Sequence, residues 1–336
     1  MNLASLRAAA FRLALAILAF STLAAHAQMC QTSSDLDDAT RSAIAAAGQR
    51  YFAMVAKDDT ASLRRDATPI LISDFSGIEG TVKDRQPELA GAQAVTRSLF
   101  LLETDAKDAT PHAEFLCGVF GKNGQTSDSA AFYFDNLAPG KYAVVLLDAS
   151  SPKGRTHFSL ILQQVEADWK LAGLYIQPAQ IAGHDGDWFA AHARDYKAKG
   201  QLHNAWLFYL QARSLISPVS FMSTLATDQL YDEFHSLQPS DLPAGGKTAD
   251  LTAGATTYKL TALFPAAVGD DVDLVVKYDV ADLSNTNQTY QGNVAVIQAL
   301  VTKYPELKNA FTAVVARAVT PDGRDYGTLL AMKDIK

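Results

Sequence analysis

The chain is poor in the features that announce a chemistry. Only two cysteines, Cys30 and Cys117, occur in 336 residues. There is no Cys-x-x-Cys, no His-Glu-x-x-His and no Gly-x-Ser-x-Gly, which removes the commonest redox, zinc-hydrolase and serine-hydrolase signatures. Basic clusters are missing as well. The net charge is −7, and loss of Arg7 and Arg12 with an N-terminal leader would take it to −9. A mildly acidic chain without a basic face is a poor partner for nucleic acid or an anionic membrane. Beyond the N-terminus no apolar run is long enough to span a bilayer.

What is present begins with that N-terminus. Residues 1–27 carry Arg7 and Arg12, the apolar run Leu13 to Phe20, and Ala25-His26-Ala27 before Gln28. This is the layout of a secretory signal with cleavage after Ala27, and it places the mature chain in the periplasm or outside the cell. The competing reading is a retained N-terminal anchor. Met29 before Cys30 argues against a lipoprotein. Two cysteines in an oxidising compartment predict one disulfide, Cys30–Cys117. The mature chain of 309 residues is long enough for two domains with their own cores.

The fold class expected is α+β: a helix with a curved antiparallel sheet, a central helical hairpin, and a second small α+β domain. The boundaries are 28–180 for the first domain, 181–238 for the hairpin and a connecting helix, 239–256 for a linker or loop, and 257–336 for a ββαββ-like unit. In the first domain Ile44, Ala47, Tyr51 and Val55 stripe a helix over residues 37–57. Residues 70–75 read as a strand, 76–80 as a turn-rich connection, and 93–103 as a strand, with a helix as the alternative. Short β-rich runs follow at 113–120, 130–135, 141–148, 156–166 and 169–176, separated by Gly, Pro, Asn and Asp. Spacing this short favours an antiparallel meander.

The clearest helical pattern runs from Asp187 to Pro218. Asp187 is the expected N-cap, and Phe189, Ala193 and Tyr196 share a face. Gly200 suits a tight turn, Ala205, Phe208, Tyr209, Ala212 and Leu215 share a second face, and Pro218 follows the end. Beyond it, residues 222–237 read as a short helix.

Two resemblances follow. The helix with Tyr51 and Phe52, and the closing hairpin His157-Phe158-Ser159-Leu160-Ile161-Leu162 … Asp168-Trp169-Lys170-Leu171-Ala172-Gly173-Leu174, resemble the nuclear-transport-factor-2-like (cystatin-like cone) superfamily over residues 37–177. The resemblance implies a helix over a concave sheet and a pocket between them. Residues 68–110 depart from it, because more helix is expected there. Ala193, Tyr196, Gly200, Ala205, Tyr209 and Ala212 resemble one tetratricopeptide repeat. It has no second copy at a 34-residue period, so a solenoid is not implied. Tyr196, Trp206 and Tyr209 are the candidates for a protein-contact surface on that hairpin.

An acid–base enzyme in the cone would need an Asp/His pair. The groups to draw on are Asp74, His112, Glu114, Asp148 and His157, and no spacing pairs them. Pro243-Ala244-Gly245-Gly246-Lys247-Thr248 has Asp241 where a phosphate loop needs its first Gly. Asp270, Asp271 and Asp273 lack calcium-loop spacing. His184, Asp185 and Asp187 are better explained by helix capping than by metal binding. No cofactor, metal or catalytic residue is therefore expected. The reading is an exported, non-enzymatic protein that binds a protein partner or a small apolar ligand. The alternative is an acid–base hydrolase or isomerase working in the cone pocket.

Overall fold

The computed structural model describes residues 28–120 and 124–335, so the signal segment lies outside the described residues. The chain folds as α+β with several sheets. The first lobe opens with strand β1 (Gln28–Thr32) and helix α1 (Asp38–Ala56). Asp37 caps α1 by accepting from the Thr40 amide at 2.8 Å. Short helices α2 (Thr60–Arg65) and α3 (Pro69–Ser73) and the longer α4 (Ser76–Leu89) follow.

Two expectations are corrected here. Residues 70–75 are not a strand, because Thr68 caps a helix that has Pro69 in its first turn, a start signal stronger than the Ile-Leu-Ile run. Residues 76–80 are not a turn but the first residues of α4. Ile78, Val82 and Leu89 form its buried stripe, and Gly77 and Gly80 face open space.

Six strands then run β2 (Gln93–Thr104), β3 (Thr110–Cys117), β4 (Ala130–Leu137), β5 (Gly140–Ser151), β6 (Gly154–Val165) and β7 (Asp168–Pro178). The sheet order is β1-β2-β5-β6-β7, antiparallel throughout. Bulges sit between Thr96 and Ser98 on β2 and opposite Ile161/Leu162 on β6. A bulge increases local twist and bends a sheet.

Both faces of this sheet are buried. On β5, Ala143, Val145 and Leu147 face a core built with α1 and α4, while Tyr142, Val144 and Leu146 face a second core. The second core is closed by a three-stranded sheet β3-β4-β10, with β10 at Met222–Thr224. The Cys30–Cys117 disulfide joins β1 to β3 across a separation of 87 residues. Gly48 lets α1 approach the sheet, since a Cβ there would lie 2.7 Å from Val145 Cγ1.

After the small strands β8 (Gln180–Ile181) and β9 (His184–Asp185) comes the hairpin of α5 (Gly186–Ala198) and α6 (Leu202–Ile216). The N-cap is Asp185, not Asp187. Asp185 accepts from the Trp188 amide at 3.0 Å, and Asp187 lies in the first turn. Gly200 turns the chain with φ +73°. The expected helix over 222–237 divides: β10 comes first, then Thr224 caps α7 (Leu225–Phe234). The expected loop over 239–256 contains β11 (Ala249–Ala253), whose turn at Gly254 leads into β12 (Thr256–Val268).

β13 (Asp271–Asp279), α8 (Thr286–Lys303), β14 (Ala313–Val319) and β15 (Asp325–Ala331) complete a sheet in the order β11-β12-β13-β14-β15. β13 and β14 are parallel and joined through α8. The ββαββ order is therefore present with one strand added in front. Hairpin and C-terminal sheet share one core, with Phe189, Phe208 and Leu215 packed together with Leu274, Ile297 and Val314.

Candidate functional site

Between its helices and its sheet the first lobe packs an apolar core. Phe52 meets Phe158 edge-on at 5.2 Å, and Leu160, Leu162, Trp169 and Leu174 complete the packing. None of the five candidate acid–base residues belongs to that core. Asp74 accepts from Ser76, and Glu114 is exposed. His112 pairs with Asp135 at 2.9 Å, with both side chains almost fully exposed at 88% and 90%. Such a surface pair contributes little.

Asp148 and His157 do meet, on the other side of the sheet. They lie directly across β5 and β6, with His157 Nδ1 2.9 Å from Asp148 Oδ1. Alternation decides the direction: Phe158 enters the helical core and His157 turns away from it, toward the hairpin. There His157 Nε2 lies 2.8 Å from the carbonyl oxygen of Leu215 in the last turn of α6. A carbonyl only accepts, so Nε2 donates. The hydrogen bond from His157 holds the Asp148 carboxyl below its usual range, and the charges of Arg97 and Arg155 act in the same direction against burial.

Around this pair lies a cavity of about 330 Å³ between the first lobe and the hairpin. Arg97, Arg155, Asp185, Asp187 and Thr156 contribute its polar lining. Arg155 pairs with Asp185 at 2.8 Å and donates to Gln180 at 3.1 Å. Asp185 is held below the ordinary carboxylate range, first by the Trp188 amide it caps and then by Arg155. Arg97 is the extra residue of the β2 bulge, between Thr96 and Ser98. Close packing builds the wall: a Cβ on Gly186 would lie 2.9 Å from the Ala212 carbonyl oxygen.

In the cleft Asp148 is matched by His157 and Asp185 by Arg155. Among the described residues, Arg97 acts on Asp148 and Asp187 on Arg194 through charge alone, with no side-chain hydrogen bond to hold either in place. Chemically, the cleft can hold a polar group of mixed charge. Both ring nitrogens of His157 are engaged within the protein, one by the Asp148 carboxylate and one by the Leu215 carbonyl.

The sequence-level candidates for a partner surface lie elsewhere. Trp206 and Tyr209 are 3% and 1% exposed, so they are core residues and not a contact surface. Tyr209 donates to Glu233, and burial, then that carboxylate, pushes its hydroxyl up to about 12. Tyr196 is half-buried and donates to the Asn309 carbonyl oxygen at 3.0 Å. All three pack into the core that the hairpin shares with the C-terminal sheet. Arg97 and Arg155 were not singled out in the sequence, because a bulge and a cross-lobe contact leave no mark on a local pattern, and Asp185 was weighed there only for capping and metal binding.

The fold and cleft together describe a two-lobed α+β protein with a polar seam. No family model, no curated protein and no solved structure matches the chain.

Proposed function

We propose that this is an exported, non-enzymatic binding protein whose inter-lobe cleft takes a small ligand, or a segment of a protein partner, bearing charges of both signs. The observation that carries the reading is the doubly engaged His157, which ties β6 to α6, with Arg97 and Asp187 lining the cleft beside it without side-chain hydrogen bonds of their own among the described residues. The Cys30–Cys117 disulfide fits export. Among the described residues no helix is long and apolar enough to cross a membrane. The apolar core packed between helices and sheet supports binding in the cleft over binding of an apolar ligand inside the cone.

Kinship with the nuclear-transport-factor-2-like superfamily is part of the proposal. It is supported by α1 lying over a bulged antiparallel sheet and by the buried Trp169 at the start of β7. The acid–base enzyme is the second reading, and the Asp148–His157 contact is what favours it.

Native mass spectrometry of the mature protein, purified from its own compartment, tests the proposal. A carried small molecule or peptide that is lost from Arg97→Ala supports it. A hydrolytic or isomerase turnover abolished by His157→Ala would replace it with the enzyme.

A further inference from the structure

A second recess lies on the opposite flank of α6. It has two chambers, of about 450 Å³ and 360 Å³, which share Leu210, Arg213 and Tyr231 and therefore form one elongated groove. The first chamber lies over the buried Phe234 and Leu263 and is rimmed by His235, Gln238 and the exposed Gly245 and Gly246. The second is lined by the exposed Ser214 and Ser220 and by Gln177, while the hydroxyls of Ser217 and Thr227 are taken by the carbonyls of Val219 and Thr224. Its charges balance, with one guanidinium, Arg213, and one carboxylate, Asp228.

The junction of the chambers is aromatic. Asp228, Tyr231 and His235 fall at i, i+3 and i+7 from the start of α7 onward, so they share one outward stripe. Tyr231 is 48% exposed and lies nearly parallel to His235, with centroids 5.1 Å apart. The Arg213 guanidinium stands 5.9 Å from the Tyr231 ring.

From these features we infer that the groove is a binding site for a neutral oligosaccharide. Such a ligand presents hydroxyl groups along its edges and patches of C–H on its faces. Ser214, Ser220 and Gln177 match the first as donors and acceptors, and the exposed Tyr231 ring matches the second. Balanced charge gives no field for a polyanion, and the hydroxyl rim is wrong for a lipid tail. The site is independent of the inter-lobe cleft, since the two share no lining residue.

The test uses the full mature chain with maltohexaose, cellohexaose and chitohexaose, followed by saturation-transfer NMR and titration calorimetry. At least one hexasaccharide is expected to bind, and Tyr231→Ala to weaken it by about tenfold or more. Arg97→Ala should leave that affinity within about twofold. If Tyr231→Ala does not fold, Ser214→Trp, at an exposed position on α6, blocks the second chamber instead. The inference is overturned if none of the three binds at millimolar concentration, if binding ignores these changes, or if an uncharged Ser/Gly peptide of similar length binds in preference.

Discussion

His157 acts as a tie. Its ring spans from the Asp148 carboxylate to the Leu215 carbonyl, and so couples the first lobe to the end of α6. Asp148 and Asp185 both have folded values below their ordinary ones. For such acids the contribution to stability is complete above the unfolded pKa and is lost as pH falls through the folded value. The seam should therefore loosen below about pH 4. Asp148→Asn should be less stable than wild type at pH 7 and nearly equal to it at pH 2.5, as read by urea unfolding. Asp273 has the opposite sign. It is 2% exposed with Oδ1 unpartnered, and burial first, then Asp271, pushes its carboxyl up. A raised acid favours the fold at low pH and penalises it as pH rises through the folded value. Asp273→Asn should thus stabilise at pH 7 by on the order of 1 kcal/mol, with the gain shrinking toward pH 4.

Among the elements, the α5–α6 hairpin carries the most structure per residue. Gly200 sits at φ +73° with open space around its missing Cβ, so the constraint is backbone conformation, not packing. Gly200→Val should cost about 1–2 kcal/mol in chemical denaturation. A variant that melts like wild type would show that the turn relaxes freely. Much of this hairpin was legible locally: the alternation of small and aromatic residues, Gly200 and Pro218 all stand where the helices need them. The misread elements lie where two local signals compete. Ile70-Leu71-Ile72 looks like a strand, yet the Thr68 cap and Pro69 in the first turn start a helix, and Ile70 is left 73% exposed. Asp185 and Asp187 are equally good caps in sequence, and only the chain's path through β9 selects the first.

The whole molecule is held at its edge by Cys30–Cys117, with Cα atoms 5.0 Å apart and 87 residues between. Closing a loop of that size restricts the unfolded chain by up to ~4.5 kcal/mol in the chain-entropy picture. Paired replacement by serine should lower the thermal midpoint by several degrees, and a reductant should do the same to wild type while leaving the variant unmoved. The larger assembly departs from the expected plan of separate units. The hairpin belongs to the core of the C-terminal sheet, and the first lobe reaches it through β10, His157 and the cleft.

The sequence by itself determined the disulfide, the α+β class, most strands of the first lobe and the hairpin with its turn. Each of these depends on neighbours in the chain, on strict periodicity, or on there being only two cysteines to pair. Tertiary structure alone decided that Phe52 and Phe158 meet in one core, that Trp206 and Tyr209 are buried, and that Asp148, His157 and Arg97 converge. The physical reason is that these outcomes rest on contacts between residues far apart in sequence. Asp148 and His157 are nine residues apart across a β-turn, but His157 and Leu215 are separated by 58. A bulge that turns Arg97 into the cleft is a property of strand register, which side-chain patterns record only once the partner strand is known.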